Sequence, residues 1–299
     1  MNNLTPLPDV ASKIVSDISL DQVGMANIAL PLRINVENGT QTCAANAAIF
    51  ANVQNGQKGL HMSRMYESLL ELSETSLSAA TLASCAKHAL LQQTEVEATN
   101  LSIELKTQLQ IKRPALNSNG DGWNRYPVEI NANYSHQDGF TLSLGIQVTY
   151  SSSCPASAAL SRQALSQTFD QTFRDSQSLN HGEITSWLEK NGTLAIPHSQ
   201  RSIANITVGI TDGPLPISEL INTCEEALGT PVQTFVKRDD EQEFALRNGA
   251  NPMFVEDASR RLIQALETQG YSGKLYVSHQ ESLHGHDAVA QAFFSSEER

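Results

Sequence analysis

Cys154 occupies a position where a thiol could act as a nucleophile or a metal ligand. Upstream of it, apolar residues alternate with polar ones at period two, which predicts a half-buried strand with one face formed by Leu142, Leu144, Ile146, Val148 and Tyr150. Cys154 continues that face, and Pro155 suits the first position of a helix, so Cys154 is predicted to be the helix N-cap. Unpaired N–H groups at a helix N-terminus favour a thiolate. The alternative is a small buried hydrophobic residue at a strand end.

Four further places carry side chains suited to acid–base or metal chemistry. They are His198 ahead of a predicted strand, the mixed-charge run 237–243, Glu256 at the start of a predicted helix, and the pair His284 and His286. Cysteine, histidine and a carboxylate together supply the sulfur, nitrogen and oxygen ligands that zinc and similar divalent ions accept. Zinc lowers the pKa of a bound water to about 7, so such a site could deliver hydroxide at neutral pH, with a nearby histidine moving protons.

Each of these signals also has an ordinary structural explanation. An isolated histidine is more often a surface or hydrogen-bonded residue than a ligand, and a mixed-charge run is usually a solvated face. Glu256 lies four residues before Arg260, a spacing at which an ion pair stabilises a helix surface without any ligand. No single signal is therefore specific.

The composition predicts a globular protein without nucleic-acid or membrane partners. The chain has 299 residues, 40% of them hydrophobic and 17% charged, and its formal net charge is −12. That charge disfavours anionic partners unless Lys and Arg cluster locally. The four cysteines are widely spaced without a C-x-x-C pair, which argues against a disulfide framework or a zinc knuckle. With no basic start followed by an apolar stretch near residue 1, we expect a cytoplasmic enzyme.

The order of elements indicates two similar halves. Strands are predicted near 28–36, 43–53, 101–111, 128–134, 141–150, 206–210 and from Leu275 onward, and Asn38-Gly39 is a hairpin signal. Helices are predicted near 62–70 and 82–90, after Cys154, after an N-cap at Ser218, and over 255–266. This order predicts an α+β fold of two antiparallel-sheet modules, each with helices on one face. The predicted division is an N-terminal segment 1–20, a first module 21–137, and a second module 138–299 with an insertion near 166–193.

The sequence resembles the prokaryotic GTP cyclohydrolases of type IB. The resemblance follows the chain in order through these motifs: Leu7-Pro8-Asp9-Val10, Gln57-Lys58-Gly59-Leu60-His61-Met62-Ser63-Arg64, Ser153-Cys154-Pro155, His198-Ser199-Gln200-Arg201-Ser202, Val236-Lys237-Arg238 with Asp240-Glu241-Gln242, Asn251-Pro252-Met253-Phe254-Val255-Glu256-Asp257, and Glu281-Ser282-Leu283-His284-Gly285-His286. It implies two tunnelling-fold modules per chain and a homotetramer with sites between subunits. The implied reaction converts GTP and water to 7,8-dihydroneopterin triphosphate and formate, the first step of tetrahydrofolate biosynthesis.

The resemblance also implies roles for individual residues. Cys154, His198 and Glu241 would bind one divalent metal, which could be zinc, manganese or iron, and the activated water would attack guanine C8. Glu256 would anchor the guanine edge, because a carboxylate accepts two parallel hydrogen bonds from it. His286, or alternatively His284, would relay protons at the imidazole ring, and His198 or His286 would move protons during the attack on C8. The cationic candidates for the triphosphate are Lys58, His61, Arg64, Arg201 and Lys237.

One departure from the family pattern and two rival functions remain open. The stretch from Cys154 to His198 is longer than the pattern, with an apparent insertion around 169–193 that contains Trp187. Each doubling of a loop's length costs only about 0.6 kcal/mol of closure free energy, so the two ends of this stretch can still meet.

The rival functions are another tunnelling-fold enzyme, such as a pterin synthase or a nitrile reductase, and a non-catalytic nucleotide-binding or assembly protein. Release of formate from GTP separates the first rival, and GTP binding without turnover would identify the second.

Overall fold

The computed structural model describes residues 17–37 and 39–296. Within them the chain forms eight strands: β1 Leu20–Val36, β2 Gly39–Val53, β3 Asn100–Pro114, β4 Asp121–Ser135, β5 Gly139–Ser153, β6 Ser199–Ile210, β7 Gly273–His279 and β8 Ala288–Phe294. The motif Leu7-Pro8-Asp9-Val10 and Asn38 of the hairpin signal lie outside the described residues.

In the described part of the chain, seven α-helices connect these strands. They are α1 Met62–Ser73, α2 Ala79–Leu91, α3 Pro155–Phe173, α4 His181–Asn191, α5 Ile217–Leu228, α6 Arg238–Ala250 and α7 Val255–Thr268. The helices in the described part of the chain are all too short or too polar to cross a lipid bilayer.

All eight strands form one antiparallel sheet in sequential order from β1 to β8. Alternate residues of each strand are buried under the helices, as Leu142, Leu144 and Ile146 are on β5. Helices α1 and α2 pack on the first four strands, and α5 and α7 pack on the last four. The α+β fold class predicted from the alternation is confirmed. The predicted boundary at 137/138 falls in the turn between β4 and β5, and the independence of the two modules stays a prediction.

Strands β4 and β5 separate toward the end of β5, so the sheet opens there between its two halves. We call this end of the strands the open edge. Strands β4 and β5 pair only from Val128 and Ile146 to Ser135 and Gly139. Beyond that point residues 230–235 occupy the gap, where the Val232 N–H donates to the Thr149 carbonyl over 3.2 Å. A Cβ at Gly122 would lie 2.7 Å from Thr234 Cβ, so glycine permits this close approach. The gap forms the rim of the groove described below.

The long excursion between β5 and β6 is a helical hairpin with its own aromatic core. The residues of the predicted insertion, 166–193, form the end of α3, the connecting loop and α4. The Trp187 ring lies 5.1 Å from the Phe169 ring, and its Nε1 donates to Thr172 Oγ1 over 3.3 Å. These contacts join α3 to α4 within the hairpin.

One local prediction is wrong, and one helix was not predicted. Ser218 does not cap a helix, because α5 already begins at Ile217 and its N-cap is Pro216. The mixed-charge run opens a helix, α6, which the sequence pattern did not reveal, and Asp240 within the run is fully buried.

Candidate active site

Cys154 is the N-cap of α3, as the sequence predicts. Its backbone is extended, with φ −70° and ψ 122°, and the Ser157 N–H donates to its Sγ over 3.5 Å. The thiol is half-buried and continues the core-facing side of β5. A sulfur that receives only one long N–H contact at a helix N-terminus keeps its electron pairs available for a ligand.

His198 meets Cys154 despite the 43 residues that separate them. The Cys154 N–H donates to the His198 carbonyl over 3.2 Å, and Ser153 pairs with Ser199 across β5 and β6. The His198 N–H in turn donates to Ser157 Oγ over 3.2 Å. The two ends of the helical hairpin are therefore closed onto each other, and the predicted cysteine and histidine share one site.

The His198 ring faces two acceptors on one side. Its Nδ1 lies 3.0 Å from Gln200 Oε1 and 3.5 Å from Glu281 Oε2. A proton on Nδ1 would face both of these oxygens, and the ring would then carry its lone pair on Nε2. Glu281 Oε2 is buried without a hydrogen-bond partner among the described residues. Sequence reasoning included Glu281 in a motif but gave it no role, and only the fold shows that it reaches His198.

The N-terminus of α6 separates the roles of two neighbouring carboxylates. Asp240 accepts from the N–H groups of Asn117, Ser118 and Lys237 at 2.8–2.9 Å and from the Ser118 hydroxyl at 2.5 Å. These hydrogen bonds lower the pKa of Asp240 and tie the β3–β4 loop to α6. Glu241, the next residue, is exposed and makes no side-chain hydrogen bond or ion pair within the described residues.

Glu241 lines a groove of about 600 Å³ at the open edge of the sheet. Ser199, Gln200 and Arg201 at the start of β6 line the same groove. The groove therefore brings the predicted carboxylate ligand beside β6, the strand that begins directly after His198.

The N-terminus of α7 likewise carries one hydrogen-bonded carboxylate and one exposed carboxylate. Asp257 accepts from the Phe254 N–H over 3.0 Å and forms the ion pair with Arg260, at 3.6 Å, that the spacing had assigned to Glu256. Glu256 itself is exposed and makes no hydrogen bond within the described residues. The Met253 N–H donates to the Ser153 carbonyl over 3.0 Å, so the start of α7 is fixed beside Cys154.

The β7–β8 loop brings the two predicted proton-relay residues to the same edge. The Gln280 N–H donates to the Arg201 carbonyl over 3.0 Å, which fixes the start of the loop. The rings of His284 and His286 are stacked, with centroids 5.0 Å apart, and both are exposed. Their equivalence leaves the choice between them open.

The five cationic candidates divide between opposite edges of the sheet. Arg201 lines the groove, and Lys237 Nζ donates to the Asn119 carbonyl at the same edge over 3.5 Å. Lys58, His61 and Arg64 lie at the other edge, where β2 ends and α1 begins.

Strand register gives the distance between these edges. Ala51, Leu101, Tyr134 and Phe140 form one row across β2 to β5. Phe140 is near the start of β5 and Ser153 is at its end, a span of about 40 Å at roughly 3.3 Å per residue. One chain therefore does not bring Lys58, His61 and Arg64 to Cys154.

His61 and Arg64 are held in place by residues that directly follow α2. The Gln93 side chain is fully buried and bonds both backbone groups of His61, accepting at 2.8 Å and donating at 3.2 Å. Glu95 lies 3.2 Å from His61 Nε2 and 3.5 Å from Arg64 Nη1. The Arg64 guanidinium also donates to the Gln92 carbonyl over 3.1 Å. These contacts order the loop that ends at His61 and the first turn of α1, which carries Arg64.

The donor chemistry at the open edge suits a divalent cation. Cys154 Sγ, His198 Nε2 and the Glu241 carboxylate are the sulfur, nitrogen and oxygen donors of such sites, and the buried, unsatisfied Glu281 oxygen lies behind the imidazole. In residues 17–37 and 39–296 no three His, Cys, Asp or Glu side chains converge closely enough to hold a metal ion.

The fold is that of a tunnelling-fold protein. The uricase from Arthrobacter globiformis is similar in structure, with a TM-score of 0.51 at 8% sequence identity over 93% of this chain and 94% of the uricase. Similarity at that identity concerns the fold alone.

The chain belongs to the type I GTP cyclohydrolase FolE2 family, whose model matches residues 7–290. It is 43% identical to GTP cyclohydrolase FolE2 of Serratia proteamaculans over 96% of this chain and 94% of that protein. It is 40% identical to GTP cyclohydrolase FolE2 of Pseudomonas syringae pv. syringae over 96% of this chain and 97% of that protein. The corresponding protein of Delftia acidovorans is 43% identical over 97% of this chain and its own full length. The family expected from the ordered motifs is confirmed.

Proposed function

We propose that the protein is a GTP cyclohydrolase that converts GTP and water to 7,8-dihydroneopterin triphosphate and formate, the first step of tetrahydrofolate biosynthesis. Family membership supports the activity. The observation that carries the proposal is the hydrogen bond that joins the N-cap Cys154 to His198, because it assembles a thiol and an imidazole at the edge where Glu241 and Glu256 are free.

Cys154 Sγ, His198 Nε2 and Glu241 are the residues we propose as ligands of a divalent metal, which would supply the Lewis acid for attack of water on guanine C8. Their neighbours support this assignment. Asp240 is fully engaged in holding the β3–β4 loop, and Glu241, unlike Asp239 of the same turn, lines the groove. Borderline ligands accept zinc, manganese and iron alike, and cellular availability then selects among them.

Glu256 is proposed to bind the guanine edge. Its carboxylate offers two acceptor oxygens to N1–H and the exocyclic amine, and α7 is fixed beside Cys154 through the Met253–Ser153 bond. The neighbouring carboxylate, Asp257, is occupied in capping α7. The proposed anchor is thus free and lies on a rigid helix.

Proton transfer is assigned to the exposed pair His284 and His286. His198 is less suited, because its Nδ1 is already bonded to Gln200 and its Nε2 is the proposed ligand atom. The paired rings lie on a loop that is bonded to Arg201, and Arg201 is a proposed contact of the triphosphate.

We infer that the complete site forms between chains. Lys58, His61 and Arg64 lie about 40 Å from Cys154 along the sheet, so only a second copy can bring these cations to the groove. A homotetramer with sites between subunits satisfies this requirement. It also supplies the local positive charge that a triphosphate needs on a protein of net charge −12.

The test is a GTP assay on metal-stripped protein with zinc, manganese or iron restored singly. Formate and the fluorescence of oxidised neopterin are measured together. Turnover with at least one metal is expected. Absence of both products with every metal would overturn the proposal, and GTP binding without turnover would favour the non-catalytic alternative.

A further inference from the structure

A chain of polar side chains runs inward from His198 through the core. Gln200 Oε1 lies 3.0 Å from His198 Nδ1, and Gln200 Nε2 donates to Ser152 Oγ over 2.9 Å. Ser152 Oγ lies 3.3 Å from His279 Nδ1. His279 Nε2 lies 2.8 Å from the Tyr150 hydroxyl. Strands β5, β6 and β7 each contribute to this chain.

These groups are buried where apolar residues would normally pack. Ser152 and Tyr150 are fully buried, Gln200 is 7% exposed and His279 is 2% exposed. Burial lowers the pKa of His279 to about 4, against a smaller opposing effect of Glu256, so the ring is neutral near pH 7. Burying a polar group costs free energy unless it has a hydrogen-bond partner, and each of these four side chains has one.

The partners decide which way the Gln200 amide points. With its oxygen toward His198, Gln200 accepts the Nδ1 proton and gives its own N–H to Ser152. The reverse orientation would leave His198 Nδ1 unprotonated while it faces the Glu281 carboxylate at 3.5 Å, where two electron pairs repel. Ser202 Oγ, 2.8 Å from Ser152 Oγ, completes the bonding of that hydroxyl. A single amide orientation results.

We propose that Gln200 is a positioning residue that keeps the His198 proton on Nδ1 and its Nε2 lone pair directed outward, and that Ser152 and His279 hold the Gln200 amide in that orientation. The inference deepens the proposed function, since it rests on His198 as a metal ligand. An outer partner at the second ring nitrogen fixes the tautomer and strengthens the ligand, and its loss typically weakens metal binding about 10–100-fold.

Cobalt titration of metal-free, full-length protein tests the proposal without using activity. Gln200→Leu removes the acceptor at similar volume, and we expect Co²⁺ affinity to fall about 10–100-fold. Gln200→Glu restores an acceptor for His198 and should recover most of the affinity. Gln147→Leu is the matched control, because Gln147 makes a comparable 2.9 Å amide bond from β5 to Asn205 on β6. Wild-type Co²⁺ affinity in Gln200→Leu would overturn the proposal.

A second measurement separates this inference from the metal proposal. In metal-free protein labelled with nitrogen-15 histidine, the His198 ring is assigned by its loss in His198→Ala. The Nδ1–H form is expected in the wild type, and a mixture of tautomers in Gln200→Leu and, to a smaller extent, in Ser152→Ala. A wild-type protein that binds no Co²⁺ would overturn the metal site, whereas an Nε2–H ring in the wild type would overturn the positioning role.

Discussion

The main-chain N–H of Cys154 donates a 3.2 Å hydrogen bond to the carbonyl oxygen of His198. Neither side chain takes part in this bond. The thiol and the imidazole can therefore be removed one at a time without opening the junction between β5 and β6. Loss of function can be measured here separately from loss of structure.

Replacement of Cys154 by alanine tests the proposed sulfur ligand. Metal-dependent GTP turnover should fall by more than about 100-fold, since a ligand is lost and not merely an outer partner. The melting temperature should stay close to that of the wild type. Cys43→Ala is the control, because Cys43 lies on β2 away from the groove. Full activity of Cys154→Ala would refute the ligand assignment.

Glu256→Gln and Asp257→Ala should change different properties of the protein. Glu256→Gln removes the anionic acceptor and should weaken GTP binding about 10–100-fold, the equivalent of roughly 1.5–3 kcal/mol for a hydrogen bond to a charged group. Asp257→Ala should instead reduce stability by about 1 kcal/mol, because it removes the acceptor of the Phe254 N–H at the start of α7. Calorimetric titration with GTP and thermal melts measure the two effects. Unchanged GTP affinity in Glu256→Gln would remove the anchor role.

His279 should make the protein acid-sensitive. Its folded pKa of about 4 lies below its ordinary value of 6.5, so the unfolded chain takes up the proton first as pH falls. The neutral ring contributes full stability above about pH 6.5, and this is lost progressively toward pH 4. Between pH 7.5 and pH 5 the loss is about 2 kcal/mol.

The variant His279→Gln isolates this effect, because glutamine does not titrate. Urea unfolding of both proteins is compared at pH 7.5 and pH 5 at one protein concentration. The wild type should lose about 2 kcal/mol more than the variant between the two values. Equal losses would show that His279 does not titrate between folded and unfolded states as proposed.

Complementation between inactive variants tests a site shared by two chains. A Lys58→Ala, Arg64→Ala double variant and Cys154→Ala should each be inactive alone. Co-expressed in equal amounts, they should regain about a quarter of wild-type turnover, because a quarter of the sites combine two intact halves. If every site lay within one chain, co-expression would restore nothing. Formate release from the co-purified oligomer is the measurement.

Most strands and the first helices were predictable because their burial is periodic. On β5, alternate residues from Leu142 to Tyr150 are buried, and that alternation is visible in the sequence. Cys154 and Pro155 likewise predict a helix N-terminus, because proline suits the first helical position without any contact from elsewhere in the chain. Helix α6 could not be found this way. It carries polar residues on all its faces and is held mainly by Asp240 and the β3–β4 loop, which is distant in sequence.

The sequence indicated which residue types form the candidate site, but not which side chains contact one another. The ordered motifs indicated Cys154 and His198, and the fold brings them together. Glu281 and His279 could not be given roles from the sequence, because their neighbours carry no periodic or spacing signal for contact with His198 or Ser152. Those contacts depend on the register of β7 against β6, in which His279 lies opposite Ser202.

The two ends of the α3–α4 hairpin are joined to each other, so the hairpin can be replaced as a unit. Its ends are already joined by the Cys154–His198 and Ser153–Ser199 pairs, and its aromatic contacts are internal. Lineages can therefore lengthen, shorten or re-surface this hairpin without disturbing the chemistry at its base. The same property offers protein engineers a place to graft a tag or a sensor domain close to the groove.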